Sequence, residues 1–466
     1  MQLLSISFLI FFLPACLVLY WKFIKTPRSR LWFLLAASLL FYSLGGIQFI
    51  PLLLALSLAT YWLAQRKLIW PGVCLNLLAL VVFKYWDFGI TNLQNVIDQF
   101  DIPFVLPLLR LAFPLGLSYY VFKHLGYLFD IQKGRYEATT DRLTFITYSV
   151  FFPQISAGPI SSFQDTGKQL GNLPTSFSYD MGYQGLLHLA VGIAKKLLLA
   201  ENIAIILGMR IFETEYLPDG LAVAWVLVLL QGFFLYLDFS GYTDMALGLG
   251  YLFGVTLPPN FDNPYTATSP RRFWERWHIS LTQWFRIYLF SPLSRFLIQR
   301  WGATRKTIAQ YTANIVTMTL VGLWHGASAW FVLWGVYHGV LLNINAWAER
   351  KRLRVVGSWI SQVATFIAVM FGWSFFFSSG KGTFLIIFRN LVGLGGFGSF
   401  SDFFAELPAN YHVMLIVTVL VIFSGYAEAA NLSKIKKPWF AALAGILLAI
   451  LLMFLGEPSD FSYVQF

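Results

Sequence analysis

Two histidines stand where an imidazole can do more than pack. His325 lies in Gly322-Leu323-Trp324-His325-Gly326, with apolar stretches over 313–321 before it and 327–342 after it. An ionisable side chain at membrane depth costs roughly 2.5–3.5 kcal/mol on insertion scales, so it tends to face a bundle interior or a watery cavity. Imidazole is also the side chain best suited to moving a proton near neutral pH, as general base or acid. Gly326 and Ala327 beside it remove bulk, leaving room for a substrate backbone or a thioester to approach. The alternative is a core histidine whose ring proton bonds a carbonyl. The residue pattern alone leaves both open.

His278 ends the run Ser269-Pro270-Arg271-Arg272-Phe273-Trp274-Glu275-Arg276-Trp277-His278. Serine followed by proline reads as a helix N-cap with proline at the first helical position. That start predicts His278 about two turns into a helix, sharing a face with Trp274 and Thr282. Trp274 and Trp277 would sit near an interface and His278 deeper. An amphipathic surface helix with a hydrogen-bonded histidine fits the same residues. Just upstream, Asn260-Phe261-Asp262-Asn263-Pro264-Tyr265 forms a polar turn.

The run Asp238-Phe239-Ser240-Gly241-Tyr242-Thr243-Asp244 places two carboxylates and three hydroxyls between apolar stretches. Paired carboxylates suggest a metal or a proton relay. No His or Cys stands at ligand spacing, so a hydrogen-bonding cluster lining a cavity fits better, and no metal is expected. His338, 13 residues beyond His325, falls about 220° around a continuous helix and is assigned to packing. His124 and His188 read as structural or interfacial, and His412 as an outer-boundary residue. No serine elbow, phosphate loop or zinc HExxH motif is present.

The elements that must position these residues are membrane helices. Of 466 residues, 58% are hydrophobic and only 12% charged, about half the charge of a soluble domain; the mean hydropathy is +0.65. Aromatic residues make up 18%, as interfacial belts require. Cys16 and Cys74 lie in apolar segments and indicate neither a metal site nor a disulfide framework. The net charge of +11 is gathered in short loops rather than on a nucleic-acid face, and no nucleic-acid-binding signature accompanies it. Those loops hold Lys22, Lys25, Arg28 and Arg30; Arg350, Lys351, Arg352 and Arg354; and Lys434, Lys436 and Lys437. By the positive-inside rule they face the cytoplasm. The loops with Glu213, Glu215 and Asp219, and with Asp402 and Glu406, would lie outside, as would both termini, the last near Glu457 and Asp460. Residues 3–20 lack the preceding positive charge of a signal peptide and read as a retained first helix.

Candidate spans, each needing roughly 20 residues, are 3–20, 31–44, 47–63, 70–83, 104–122, 143–156, 183–200, 221–237 and 242–255. Further spans are 285–298, 311–323, 327–345, 359–377, 412–428 and 440–455. The shortest are expected to be tilted, re-entrant or interfacial, leaving about eleven to thirteen membrane helices in one all-α, polytopic domain over 1–466, with no soluble domain and no repeat. Gly45-Gly46 looks like a tight helical hairpin, and Pro103, Pro107 and Pro114 break another region. Backbone left non-helical at membrane depth must line a protein-filled or watery cavity.

These motifs together resemble the membrane-bound O-acyltransferase (MBOAT) superfamily. The carriers are Trp277-His278, Trp324-His325-Gly326 and Asp238–Asp244, with Asn260–Tyr265, Pro114-Leu115-Gly116-Leu117-Ser118-Tyr119 and Phe152-Pro153-Gln154-Ile155-Ser156-Ala157-Gly158-Pro159-Ile160. They span 107–345 and point to the bacterial branch containing the alginate O-acetylation protein and the teichoic acid D-alanine transfer protein. The resemblance implies a ring of helices around a thin centre with a tunnel between the two faces. It implies His325 as the near-universal histidine and His278 as its partner. Trp324, Gly326, Trp277, Trp274, Asp238, Ser240, Tyr242, Asp244, Asn263 and Pro159 would then line the tunnel or bind substrate.

The expected function is O-acyl transfer, O-acetyl by preference, in a bacterial inner membrane. The donor would be acetyl-CoA or an acyl-carrier thioester, with no bound cofactor. The acceptor would be a hydroxyl on a sugar polymer such as alginate, or on an extracytoplasmic SGNH or esterase-like acyltransferase or polysaccharide-modification partner. A competing class is a transporter or flippase of a lipid-linked or acidic solute, suggested by Lys84, Asp87, Lys195, Lys196 and Glu201 within apolar sequence. A non-catalytic membrane scaffold is a third.

Overall fold

The computed structural model describes residues 3–211, 220–353, 358–376, 381–405, 407–425, 427–432, 445–446 and 450. Among these the regular structure is helical, with no strand, as the all-α expectation holds. Glu213, Glu215, Asp219, Arg354, Glu406, Lys434, Lys436, Lys437, Glu457 and Asp460 lie outside the described residues, with most of the expected span 440–455.

Four helical stretches among the described residues are long and apolar enough to cross a membrane: Pro27–Gln65, Ile69–Asp98, Leu221–Leu252 and Ser358–Phe376. Ser7–Phe23 and Ala409–Phe423 are apolar but shorter. The glycine pair ends the helix Pro27–Gly46, and one 3-10 turn, Ile47–Phe49, leads into Ile50–Gln65. Three expected spans are corrected. Segments 221–237 and 242–255 are parts of one 32-residue helix, Leu221–Leu252, which the polar run does not interrupt. Segment 104–122 is not one span: residues 102–114 carry no regular structure, and the helix Leu117–Gln132 starts only after Gly116. Proline removes the N–H groups a helix would need there. Gly116 has φ +68°, and a Cβ would meet the Ile155 carbonyl oxygen at 1.9 Å.

Contacts divide the chain into two units. The first comprises Met1–Leu186, Ala246–Pro258 and Gly326–Ser328; the second comprises Leu187–Met245, Pro259–His325 and Ala329–Phe466. In the first, Arg30 is buried rather than exposed in a basic loop. Its guanidinium lies 4.8 Å and 4.4 Å from the Tyr20 and Trp21 ring centroids and donates to the Ile24 carbonyl at 3.0 Å. Cation–π contact and the carbonyl compensate the charge that burial would otherwise strand. His124 is held on both nitrogens, by Asn76 Oδ1 at 2.9 Å and Ser149 Oγ at 3.0 Å, the structural role expected of it.

The second unit carries the histidines of interest. Its helices Lys306–His325 and Ala329–Arg350 pack closely because small residues line their seam, the means by which helices approach where lipid offers no hydrophobic drive. A Cβ on Gly322 would sit 2.0 Å from the Phe331 carbonyl oxygen, and one on Gly335 2.2 Å from that of Met318. Gly339, one turn after Gly335, would meet Ile315 Cα at 2.9 Å.

Gly335→Ala must therefore push two backbones apart. Overpacking of this kind costs about 1–3 kcal/mol, seen as a lower melting temperature and less monodisperse protein in detergent. Gly208→Ala, with nothing within 4 Å of its would-be Cβ, should leave both unchanged or slightly improved.

Candidate active site

The Ser269 side chain accepts from Arg272 N–H and Pro270 opens the helix, as expected, but that helix stops at Arg276. Trp277 is extended (φ −105°, ψ 126°), His278 is left-handed (φ +42°, ψ 55°), and a new helix runs Ile279–Phe285. His278 thus sits in a break between two helices rather than two turns into one. A positive φ is uncommon for a residue with a Cβ, costs of order 1–3 kcal/mol, and persists only where the surroundings over-determine it. Here Asn260 does so: its carbonyl accepts from Ile279 N–H at 2.9 Å and its Oδ1 from Ser280 N–H at 3.1 Å. Both leading donors of the second helix are satisfied from a distant strand of chain.

His325 is the last residue of Lys306–His325; the chain breaks at Gly326 and re-enters helix at Ala329. The two imidazoles flank one indole: Trp324 lies 4.8 Å from His325 and 6.2 Å from His278, centroid to centroid. Both rings are buried, His278 at 0% and His325 at 4% exposure. Phe239 meets His278 edge-on at 4.8 Å, while Trp334 and Phe376 each lie 5.2 Å from His325.

His338 belongs to the same cluster. Its ring is 4.9 Å from Trp334, whose other side faces His325, and 5.2 Å from Trp274. The break at 326–328 puts the two histidines on different helices, so His338 does not stand 220° from His325 around one axis. Among the described residues, neither ring nitrogen of His338 and neither indole N–H of Trp274 and Trp334 has a hydrogen-bond partner. Buried polar groups are normally satisfied; among the described residues the hydroxyls of Tyr42, Ser118 and Tyr120 in the first unit also have no hydrogen-bond partner, so this feature does not set the cluster apart.

Beside the cluster is a cavity of about 780 Å³. Its wall includes Trp274, Ile279 (next to His278), and Gln310, Asn314, Thr317 and Val321 along Lys306–His325. At 1.5 Å per residue this lining covers about 16 Å of helix and ends about 6 Å short of His325. The far rim carries Arg271, Glu275, Arg286, Glu349 and Arg350. Arg271 pairs with Glu349 at 3.1 Å, and Arg350 donates to Thr307 and Gln310. The far rim thus carries charges of both signs, with Arg271 taken up by Glu349 and by Glu275 at 3.7 Å and, among the described residues, Arg286 and Arg350 facing no carboxylate in an ion pair; the wall between is amide-lined, and it is apolar and aromatic near the histidines.

Asp238, Ser240, Tyr242 and Asp244 are all buried but do not line this cavity. Lys195 Nζ lies 2.7 Å from Asp244 and 3.1 Å from Glu428. His188 Nδ1 is 3.2 Å from Asp244, and the Tyr236 hydroxyl donates to Glu428 at 2.5 Å. Lys196 Nζ lies 2.7 Å from Asp238 and 2.9 Å from Glu201. Gly241, midway between the two aspartates, is where the helices touch: a Cβ on Gly192 would lie 2.6 Å from the Gly241 carbonyl oxygen. The motif is therefore a close helix crossing locked by ion pairs. It adjoins the histidines through the Tyr236 ring, 6.1 Å from Trp277, and through Phe239.

Trp277 stacks among Tyr265, Phe273 and Trp373 as the floor beneath His278. Asn263 is left-handed (φ +45°) and its carbonyl accepts from Thr266 Oγ1 at 2.8 Å, shaping the turn before Ser269. Pro159 lies in the first unit, its carbonyl accepting from Gln154 Nε2 at 2.8 Å. Among the described residues no group of three or more His, Cys, Asp and Glu could hold a metal ion. Sequence reading missed Asn260, Trp334 and Glu428 as parts of this region; the Gly335-Val336-Tyr337-His338-Gly339 spacing is the signal that would have marked the seam carrying His338.

The described residues are helical and bring two imidazoles to one indole beside a cavity. The profile of the MBOAT, membrane-bound O-acyltransferase, family matches residues 137–378, and the chain belongs to this family. It is a multi-pass membrane O-acyltransferase. Among its relatives is the probable alginate O-acetylase AlgI of Pseudomonas aeruginosa, 35% identical over 79% of this chain and 70% of that protein. The peptidoglycan O-acetyltransferase of Helicobacter pylori is 29% identical over 84% and 79%. The teichoic acid D-alanyltransferase of Streptococcus thermophilus is 30% identical over 51% and 58%.

Lys195→Met would leave Asp244 and Glu428 facing each other without a cation. Stranding buried charge costs about 3–5 kcal/mol, so the variant should lose folded protein in a detergent thermostability assay. Adding Asp244→Asn and Glu428→Gln should restore a large part of it.

Proposed function

We propose that the protein passes an acyl group, acetyl by preference, from a cytoplasmic thioester to a hydroxyl presented on the other side of a bacterial inner membrane. The observation that carries this reading is the convergence of His278 and His325 on Trp324, beside a cavity whose opposite rim holds three arginines and two glutamates. Acetyl-CoA and carrier-bound thioesters both bear phosphate, which suits Arg286 and Arg350. The apolar inner end suits the thioester. Arg350 belongs to the basic loop that positive-inside bias assigns to the cytoplasm, so the donor would enter from that side.

His325 would act as general base. The hydroxyl oxygen attacks the thioester carbonyl carbon while the imidazole takes the hydroxyl proton; the C–S bond then breaks and the imidazolium returns that proton to the departing thiolate. The products are an ester and a free thiol, with no net proton change. His278 would hold or polarise the thioester carbonyl. The relatives' names support an extracytoplasmic or cell-wall polymer as final acceptor, alginate among them, delivered directly or through an esterase-like partner outside the membrane. Of the charges that suggested a transporter, Lys84, Asp87, Lys195, Lys196 and Glu201, the last three are compensated by ion pairs within the protein and Asp87 accepts from the Leu109 and Arg110 N–H groups, which weakens the argument for solute passage.

His325→Ala should lower acyl transfer from radiolabelled acetyl-CoA in reconstituted membranes by roughly 10²–10⁴-fold while donor binding persists. Near-normal transfer would overturn the assignment. Arg286→Glu, at the exposed rim, should raise KM for acetyl-CoA several-fold with little change in kcat, and the wild-type KM should rise with salt as rim charges are screened.

A further inference from the structure

Asn260 is fully buried, and its side-chain amide can face His278 in only one way. Its Oδ1 lies 3.1 Å from Ser280 N and 2.6 Å from Ser280 Oγ. A backbone N–H can only donate, so the atom turned toward this turn is the amide oxygen. The same oxygen is 3.2 Å from His278 Nδ1. Since a carbonyl oxygen cannot donate, Nδ1 must carry the ring proton. The lone pair of the neutral imidazole is then on Nε2.

We propose that Asn260 is a positioning residue for acyl transfer: it selects the Nδ1–H tautomer of His278 and so makes Nε2 the hydrogen-bond-accepting atom of that ring. This rests on the reading of His278 as the auxiliary residue of the reaction. The assignment limits what His278 does. A ring with its proton on Nδ1 cannot donate from Nε2 to a thioester carbonyl until it has first taken a proton there. His278 therefore serves the reaction as a neutral hydrogen-bond acceptor at Nε2, and the proton that moves remains the hydroxyl proton taken by His325. The left-handed backbone at His278 serves the same end, turning Nδ1 back toward Asn260 across the helix break.

Asn260 also caps the helix Ile279–Phe285, and a cap alone would predict something different. Aspartate caps as well as asparagine, so a purely structural role makes Asn260→Asp equivalent to wild type. As a positioning residue, aspartate would still accept from Nδ1 but would add a negative charge that favours the imidazolium. The other ionisable groups on elements packed around His278 are Asp238 with its partner Lys196, His325 beside Trp324, and Glu275 and Arg276 on its own segment. All are unchanged in this variant.

The test uses the full chain. In protein labelled with ¹⁵N-histidine, the His278 signals, assigned by their loss in His278→Ala, should show the proton on Nδ1 in wild type. In membranes supplied with radiolabelled acetyl-CoA, Asn260→Asp should fold and transfer at high pH. The acidic limb of its rate–pH profile should move up by about one unit, a roughly tenfold loss below that limb. A proton on Nε2 in wild type, or an Asn260→Asp profile superimposable on wild type, overturns the proposal. Full activity in His278→Ala would overturn the reading of His278 instead, leaving the tautomer assignment to stand or fall on its spectrum.

Discussion

A polar atom shielded from water must find its partner inside the protein, and in a chain this apolar that constraint shapes nearly every interior choice. The helix Leu221–Leu252 shows its consequence most directly. Two aspartates near the middle of a membrane-length helix would break it or unfold it if left alone. Lys195 and Lys196 arrive at 2.7 Å from Asp244 and Asp238, and the helix continues for 32 residues. The lysines reach both because Gly192 and Gly241 let the backbones meet between them. His124 and Arg30 are settled in the same manner by Asn76, Ser149, Tyr20 and Trp21.

The candidate site departs from that pattern. His338, Trp274 and Trp334 keep buried polar atoms without protein partners among the described residues, and His278 holds a backbone conformation that its own side chain does not favour. Buried groups of this kind also occur in the first unit, at Tyr42, Ser118 and Tyr120, so the backbone conformation at His278 is the feature that sets the site apart. Around them the packing is rigid: Trp324, Trp334, Phe239 and Phe376 hold the imidazoles on several sides. The ion-pair cluster supports this arrangement from the next layer, since Tyr236 is bonded to Glu428 at one end and packs on Trp277 at the other. Preorganised surroundings of this kind suit a reaction whose only moving parts are a proton and an acyl group.

How far the chain could be read in advance varied with the physics involved. Membrane class and all-helical fold followed from apolar runs, and the two histidines stood out because ionisable groups are rare in such sequence. The Ser269-Pro270 start was legible because a cap is a local contact. The break at His278 was not: residues 270–285 read as one helix, and only Asn260, 18 residues upstream, supplies the acceptors that let two helices meet there. The ion pairs of the Asp238–Asp244 run were not legible for the same reason, since the lysines that meet those carboxylates lie more than 40 residues away.

Sequence by itself thus determined the kind of solvent this protein lives in, the helical response to it, the family, and the side chains capable of acyl-transfer chemistry, because burial cost and local capping act within a few residues. Tertiary structure decided which of those side chains meet. It put one indole beside two imidazoles, placed His338 against a second, and paired the carboxylates of Asp238 and Asp244 with lysines. Each depends on contacts between distant segments, whose geometry no local pattern encodes.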